Sequence, residues 1–248
     1  MMRVKMTIEY DGSAYAGWQR QKKQKTVQGE IERALEIILK TPVSIVTAGR
    51  TDAGVHARNQ IAHCDIVSGD LNRLQKAING IIDRDIVIKD ITRVADDFHA
   101  RFDARERTYC YRIALKPAAI MRHYSWYLPF TLNKTLLLKA AIYFMDVTDF
   151  TSFCKLHSSN TTYDCYIKKS VWRQEADFLN YTVTANRFLY GMVRGMVGIM
   201  IELGRGKIDW MEFVKIINAR DVRRLPALAP ARGLTLEKID YNITQEKK

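Results

Sequence analysis

The chain opens with apolar and polar residues in strict alternation. Apolar side chains occur at Val4, Met6, Ile8 and Tyr10, and a two-residue period is typical of a strand with one buried face. Further along, the apolar spacing changes to three and four, as in amphipathic helices. The elements predicted next are a helix capped by Thr26, strands at Val43–Thr47 and Gln60–Ile66, a helix capped by Asp70, and a strand at Ile86–Ile91.

The second half of the chain gives a similar order of elements. The pattern predicts a strand through Tyr109–Ile113, a helix at Asn133–Met145, strands at Ile167–Arg173 and Leu179–Ala185, a helix at Arg187–Leu203, a helix from Asp209 to Ala219, and a last strand at Leu234–Tyr241. Each half therefore reads β-α-β-β-α-β, the ferredoxin-like arrangement, with one extra helix in the second half.

These patterns predict an α+β protein with two ferredoxin-like units joined through a mostly antiparallel sheet. We expect residues 1–104 to form an N-terminal αβ subdomain that carries an aspartate loop. Residues 105–248 are expected to form a C-terminal αβ subdomain that completes a central basic cleft. The duplication is inferred from element order, because no direct sequence repeat is visible.

The charge of the chain indicates its kind of partner. The net charge is +12 and the pI is about 9.5, while 47% of the residues are hydrophobic. A foldable chain this basic usually binds a polyanion, with nucleic acid the first expectation and an anionic membrane surface the second. No run approaches the ~20 apolar residues of a membrane span, and the N-terminus does not resemble a signal peptide. We expect a cytoplasmic protein.

The four cysteines give little support for a metal site. Cys154, His157 and Cys165 are close together in sequence, but a second closely spaced pair of ligands, which a zinc site would need, is missing. Free thiols and no bound metal are therefore expected.

The segment Ala48–His56 is the strongest candidate for chemistry. It holds one cation, Arg50, and one carboxylate, Asp52, between Gly49 and Gly54. Glycines allow a tight backbone path close to a ligand, so the loop can present its aspartate to a substrate. The alternative is an ordinary turn aspartate that binds its own backbone.

A single arginine interrupts the apolar helix predicted at Arg187–Leu203. Gly191 and Gly198 are the i−3 and i+4 neighbours of Arg194, so another backbone can approach that face closely. A desolvated arginine needs an acidic partner, and Asp52 is the candidate. The alternative is an arginine whose charged end reaches solvent.

Two further segments combine cations with aromatic or amide groups. In Arg101–Tyr111 three arginines precede Tyr109 and Tyr111, a combination suited to phosphates and stacked bases, although the tyrosines could also be core residues. The loop Trp18–Lys25 is dense in cations, and we expect it to contact phosphates rather than to be merely solvated.

These residues resemble the bacterial tRNA pseudouridine synthase A family. The similar motifs are, in chain order, Glu9-Tyr-Asp-Gly12 with Gly17-Trp-Gln-Arg-Gln21 and Thr26-Val-Gln28, then Gly49-Arg-Thr-Asp-Ala-Gly-Val-His56, Phe98-His-Ala-Arg101 with the Tyr109 strand, Met192-Val-Arg194 with Gly198, and Ala229-Pro-Ala231 with Gly233-Leu234. They are collinear over nearly the whole chain. The chain departs from the family pattern at Ile82-Asp83-Arg84, where Leu-Pro is usual, and at Thr161–Tyr166, where a basic pattern is usual.

The resemblance implies an activity and residue roles. Family members isomerise uridine to pseudouridine in the tRNA anticodon stem-loop at positions 38, 39 and 40, as homodimers without metal or cofactor. Asp52 matches the catalytic aspartate, Tyr109 the active-site tyrosine, and Arg194 the basic residue paired with the aspartate. Arg50 matches the arginine that helps to flip the target base. The expected substrate contacts are Arg50, Tyr109, Arg20, Lys22, Lys23, Arg58 and Arg101.

Two other functions fit part of the sequence. A non-catalytic RNA-binding protein with tandem ferredoxin-like domains would explain the charge, but it would not explain the aspartate loop or the arginine on a glycine-lined face. A retaining glycosidase breaks a similar bond but normally needs two carboxylates.

Overall fold

The computed structural model describes residues 1–154 and 162–241, and within these ranges the chain has five α-helices and nine strands. This is a mixed α/β protein whose strands pair mostly antiparallel, as predicted. The chain divides into two compact units. The first comprises Met1–Arg105 together with the residues from Thr235 onward, and the second comprises Glu106–Leu234.

The first unit is built on a central pair of long strands. Its strands are β1 (Met2–Tyr10), β2 (Val46–Thr47), β3 (His56–Ile66), β4 (Ile86–Arg93) and, from the end of the described chain, β9 (Leu234–Asp240). Strand β1 lies between β3 and β4 and is antiparallel to both. Strand β2 pairs antiparallel with β3, whereas β9 pairs parallel with β3. The predicted alternation in β1 is confirmed, because Val4, Met6 and Ile8 are at most 1% exposed.

Two capped helices complete this unit. Helix α1 (Val27–Leu39) begins after Thr26, whose side chain accepts a hydrogen bond from the Gly29 N–H. Helix α2 (Leu71–Ile81) begins after Asp70, which accepts from the Arg73 N–H. Both caps are those expected from the sequence, since short oxygen-bearing side chains satisfy backbone donors that a helix start leaves unpaired. Along residues 2–93 the order is β-α-β-β-α-β.

The second unit differs from the predicted order in two ways. Its elements are β5 (Glu106–Ala114), β6 (Trp126–Tyr127), α3 (Lys134–Asp146), β7 (Ile167–Glu175), β8 (Phe178–Ala185), α4 (Met192–Gly204) and α5 (Trp210–Asn218). The short β6 was not predicted, and it pairs parallel with β5. The strand expected to close this half is β9, which lies in the first unit except for Leu234.

Helix α4 is the buried centre of the second unit, and eleven of its thirteen residues are buried. It begins at Met192 and not at Arg187 as predicted. Gly191 has φ +71°, which lies outside the right-handed helical region, so the helix starts after it. None of the helices in residues 1–154 and 162–241 is both long and apolar enough to cross a membrane.

Candidate active site

The segment that joins β2 to β3 carries Asp52, and backbone hydrogen bonds hold it at several points. The Trp18 N–H donates to the Thr51 carbonyl at 3.1 Å, and the Gly54 N–H donates to the Tyr15 carbonyl at 3.3 Å. Within the loop, the Val55 N–H donates to the Asp52 carbonyl at 3.1 Å. Backbone bonds therefore hold the loop on both sides of Asp52.

Two glycines of the preceding segment allow this close approach. A Cβ on Gly12 would lie 2.0 Å from the Val55 carbonyl oxygen, and one on Gly17 would lie 2.8 Å from the Thr51 carbonyl oxygen. Gly17 also has φ +95°, a conformation that favours glycine. The chain from Gly12 to Trp18, called the 12–18 segment, thus lies directly against the Asp52 loop. This close approach gives a structural reason for the glycines of the first two family motifs.

A buried polar network fixes the start of the loop. The hydroxyls of Tyr10 and Thr51 share a hydrogen bond of 2.7 Å, and the Gln60 amide donates to the Gly49 carbonyl at 2.8 Å. Burial raises the pKa of Tyr10 to about 12, so its hydroxyl is neutral in the physiological range. Buried polar groups that are paired in this way specify one arrangement of the loop.

His56 fixes the end of the loop. Its Nδ1 accepts a hydrogen bond from the Gly12 N–H at 3.1 Å and also lies 3.1 Å from an Asp11 carboxylate oxygen. Both contacts tie His56 to residues that come before the 12–18 segment or begin it.

Asp52 and Arg50 differ in their surroundings. Asp52 is partly buried, whereas Arg50 is exposed. No described residue forms a hydrogen bond or an ion pair with the Arg50 guanidinium, while Asp52 has further interactions in the folded chain. The loop thus presents one carboxylate on a restrained backbone and one cation that is available to a ligand.

The basic loop Arg20–Lys25 follows the 12–18 segment, and its cations are not equivalent. Lys22 and Lys23 are exposed, and no described residue pairs with either ammonium group. The Arg20 guanidinium lies 3.3 Å from the buried Glu32 carboxylate. The Lys25 ammonium lies 2.6 Å from Asp83, which belongs to the segment in which the chain departs from the family pattern.

Two other proposed substrate contacts lie in the first unit. Arg58 on β3 is exposed and lies 3.6 Å from the Glu237 carboxylate on β9. Arg101 is exposed, and its guanidinium lies 5.7 Å from the ring centroid of Phe102, which is itself 73% exposed. Both arginines therefore keep solvent-facing charge.

Tyr109 and Tyr111 both lie on β5, but they have different environments. Tyr111 is fully buried, its hydroxyl donates to the Pro230 carbonyl at 2.8 Å, and burial raises the pKa of the phenol. Gly233 packs on this ring, because a Cβ there would lie 2.7 Å from Tyr111 Cζ. Tyr111 is thus a core residue, which was the alternative left open for one of the two tyrosines. Tyr109 is 8% exposed and packs edge-on against Phe188 at 5.2 Å.

Arg194 sits in the first turn of α4 and is half buried. Its Nε donates to the Ala229 carbonyl at 2.7 Å, and its own carbonyl accepts from the Ala229 N–H at 3.1 Å. Gly198 lets this segment pass, because a Cβ there would lie 2.6 Å from the Ala227 carbonyl oxygen. The predicted close approach of another backbone to the face of Arg194 is therefore confirmed at Gly198.

The zinc hypothesis gains no support from the described residues. Cys154 and Cys165 are both buried. His157 lies outside the described residues. Residues 1–154 and 162–241 contain no group of three or more potential ligands.

The structure also reveals contacts that the sequence did not single out. Glu32 is a buried carboxylate on α1 that reaches Arg20. The Tyr15 hydroxyl donates to Asp85 at 2.5 Å, which ties the 12–18 segment to the turn before β4. Gln28 donates a hydrogen bond to Glu32 at 2.8 Å. The two residues are four apart on a helix, and this spacing is the one sequence signal that could have indicated their contact.

Comparison with known proteins places this arrangement in an enzyme family. The model of the tRNA pseudouridine synthase family matches residues 6–103 and 140–242. The chain is 40% identical over 243 residues to "tRNA pseudouridine synthase A" of Parabacteroides distasonis, covering 97% of this chain and 96% of that protein. The proteins of the same name from Azobacteroides pseudotrichonymphae and Caldicellulosiruptor bescii are 41% and 36% identical over 244 residues, with 97% of this chain covered in each case and 97% and 100% of the relative.

These matches define the class as an isomerase that acts on RNA. The chain belongs to the tRNA pseudouridine synthase family. The interpretation as an enzyme is therefore favoured over that of a non-catalytic RNA-binding protein.

Proposed function

We propose that this protein isomerises uridine to pseudouridine in the anticodon stem-loop of tRNA, at positions 38, 39 and 40, and that Asp52 supplies the catalytic carboxylate. The observation that carries the proposal is the loop of Asp52, which is held by backbone bonds to the 12–18 segment on both sides of the aspartate. A catalytic group on a backbone held in this way has less freedom to lose when the substrate binds.

The reaction needs a carboxylate but no external reagent. The bond from uracil N1 to the sugar C1′ breaks, the base turns, and a bond forms from C5 to C1′. The C5 proton then leaves, and N1 takes up a proton, so atoms and charge balance without redox chemistry or group transfer. Asp52 acts by attack on the base, by attack on the sugar, or by assisting a glycal intermediate, and no cofactor is required.

Arg50 suits the role of the residue that replaces a flipped base. A uridine must leave the stack before it can react, which costs a few kcal/mol. The exposed guanidinium of Arg50 is two residues from the catalytic carboxylate and has no partner among the described residues. A planar cation of this kind can stack on the neighbouring bases and fill the gap.

Tyr109 and Arg194 are proposed as catalytic residues on the strength of the resemblance. The nearly buried Tyr109 offers a ring that can stack on uracil and a hydroxyl that can assist removal of the C5 proton. Arg194 would keep the catalytic carboxylate ionised and oriented. Its held position on α4 supports this role, because Nε and the main chain of Arg194 are both bonded to Ala229.

Binding of the tRNA backbone is assigned to exposed cations of the first unit. Cationic side chains supply the sequence-independent part of RNA affinity through phosphate contacts. We propose this role for Arg20, Lys22, Lys23, Arg58 and Arg101. Because tRNA is the substrate, we also propose a cytoplasmic location, and the resemblance supports a homodimer, which light scattering of the 28.7 kDa chain would test.

The decisive experiment is release of tritium from tRNA labelled at uridine C5, followed by mapping of the product by position. We expect release that depends on enzyme, with pseudouridine at positions 38, 39 and 40. Tight tRNA binding without any release would instead support the non-catalytic RNA-binding function. Release with product at other positions would retain the reaction and refute the anticodon assignment.

A further inference from the structure

Glu32 is a carboxylate in a place where an apolar residue would ordinarily lie. Only 6% of the residue is exposed, yet it sits on the inward side of α1 close to the apolar Ile31 and Leu35. Burying a charge is costly, and well-packed apolar residues of similar volume often serve stability equally well or better. The stability of the fold alone therefore gives a weak reason for a carboxylate at this position.

Both oxygens of Glu32 are used, and they join three segments of the first unit. Oε1 accepts from the Ile45 N–H at 3.0 Å and from the Gln28 amide at 2.8 Å. Oε2 lies 3.3 Å from an Nη atom of Arg20. Helix α1, the basic loop Arg20–Lys25 and the segment entering β2 therefore meet at one carboxylate.

Gln28 reinforces this junction from the preceding turn of α1. Its amide oxygen accepts from the Arg20 N–H at 3.1 Å, and its amide nitrogen approaches the Ile45 carbonyl at 3.4 Å. The main chain of Arg20 is thus held by Gln28, and its side chain is held by Glu32. Arg20, the first residue of the basic loop, is therefore held by both its main chain and its side chain.

The rest of the Arg20 side chain faces solvent. It is 71% exposed, and one Nη atom is engaged by Glu32. A guanidinium has five donors in a rigid fork, so the remaining donors can meet a phosphate while one edge stays on the carboxylate. A side chain ordered in advance loses less freedom when it binds.

We propose that Glu32 is a positioning residue that holds Arg20 in the orientation in which it contacts a phosphate of the RNA substrate. This inference rests on the proposed function for the identity of the RNA. It predicts an effect whose sign is opposite to that of simple electrostatics, because Glu32 promotes the binding of a polyanion although it is itself negative.

The test compares two charge-neutralising substitutions on the same helix. Glu32→Gln keeps the shape of the side chain and loses the attraction for Arg20. Glu30→Gln removes an equal charge from a carboxylate that pairs with Arg33 at 2.9 Å. We expect Glu32→Gln to weaken binding of an unmodified anticodon stem-loop RNA about five-fold and to raise KM similarly, because Arg20 must then be ordered on binding. The kcat should stay within about two-fold, since the carboxylate acts on binding rather than on chemistry.

The control should bind the RNA at least as tightly as the wild type, because removing a negative charge favours a polyanion. Equal or tighter binding by Glu32→Gln would overturn the proposal. A fall in kcat as large as the rise in KM would also overturn it, since that would indicate a structural effect on the Asp52 loop transmitted through Ile45.

Combination with Arg20→Ala shows whether Glu32 acts through Arg20. Arg20→Ala should weaken binding and reduce the slope of log K against log salt by about 0.7, the single-strand value for one phosphate contact. In that background Glu32→Gln should have no further effect on affinity, whereas multiplication of the two effects would refute the positioning role.

Arg20→Lys tests the same inference if Glu32→Gln does not fold. It retains the charge but not the guanidinium fork, so we expect an affinity between those of the wild type and Arg20→Ala with the salt slope retained, and wild-type affinity would contradict the proposal. The affinity measurements do not depend on catalysis. A protein that binds the RNA but forms no pseudouridine would refute the proposed reaction, and the role of Glu32 would still be tested by the affinities of its variants.

Discussion

The Asp52 loop and the basic loop Arg20–Lys25 belong to the same compact unit, but they are held in different ways. Backbone bonds to Tyr15 and Trp18 hold the Asp52 loop, and buried side chains anchor its two ends. In the basic loop, Lys22 and Lys23 point into solvent without a described partner. A group that performs chemistry requires a fixed orientation, whereas a lysine ammonium binds a phosphate as a point charge.

The largest effect is expected from removing the charge at the fixed loop. Asp52→Asn keeps the size of the side chain but cannot act as an ionised carboxylate. We expect no detectable pseudouridine after long incubation, while tRNA affinity stays near the wild-type value. The matched control is Asp70→Asn, which neutralises a helix-capping aspartate, and asparagine caps a helix about equally well. Near-normal product formation by Asp52→Asn would remove Asp52 from the mechanism.

The rigidity of the Asp52 loop is tested at Gly17. Gly17→Ala places a Cβ 2.8 Å from the Thr51 carbonyl oxygen at a residue with φ +95°. We expect a loss of roughly 1–3 kcal/mol in the free energy of unfolding, measured with urea, and a kcat about 100-fold lower, because small displacements of a catalytic group are costly.

A second glycine near Asp52 serves as the control for stability. A Cβ on Gly49 would meet nothing within 4 Å, so Gly49→Ala should leave the urea midpoint nearly unchanged. If Gly17→Ala were equally well tolerated and fully active, the close approach of the 12–18 segment would not matter for catalysis.

The sequence predicted what is local and left out what depends on distant partners. The Asp52 loop could be recognised because its glycines and its carboxylate are adjacent in the chain. The need for Gly12 and Gly17 could not be derived, because the atoms they approach belong to Thr51 and Val55, more than thirty residues away.

The same limit explains the differences in the fold. The existence of β9 follows from its own alternation, but its pairing with β3 depends on a contact across most of the chain. The sequence predicts too early a start for α4 because Arg187–Tyr190 continue a plausible helical pattern, while the left-handed backbone of Gly191 is not visible in composition. In the sequence, Glu32 looks like any polar residue next to the apolar stripe of a helix, so its burial could not be predicted.

The role of the exposed cations in the basic loop is tested with Lys22 and Lys23. Alanine at either position should weaken tRNA binding and lower the slope of log K against log salt by about 0.7 for each phosphate that the loop no longer neutralises. The kcat should be unaffected in saturating tRNA. Lys76→Ala is the control, because Lys76 is an exposed lysine on α2 for which no RNA contact is proposed. If alanine at both Lys22 and Lys23 left the slope of log K against log salt unchanged, these lysines would be only solvated.

Lys25 is the exception within the basic loop. Its ammonium is 2.6 Å from Asp83 and lies 4.9 Å from the ring centroid of Tyr15. The hydrogen bond with Asp83 raises the pKa of Lys25, and the same bond holds the pKa of the Asp83 carboxyl below its ordinary value. The depressed pKa of Asp83 means that the pair is intact at neutral pH and is lost as the pH falls through that value.

The smallest effect is therefore expected from this pair, and its direction distinguishes Lys25 from its neighbours. With Asp83 in place, Lys25→Ala should change tRNA affinity less than Lys22→Ala, because the charge of Lys25 is already compensated. Asp83→Asn should release the ammonium and strengthen tRNA binding about two- to five-fold, the scale of an exposed ion pair, with a steeper dependence on salt. The measurement is a titration of anticodon stem-loop RNA at several salt concentrations for Lys25→Ala, Asp83→Asn and the double variant. In the double variant the part of the gain that comes from the released ammonium should disappear, because no ammonium remains to be released. If Lys25→Ala weakens binding as much as Lys22→Ala does, Lys25 exchanges Asp83 for a phosphate on binding, and the two kinds of cation in the loop are equivalent after all.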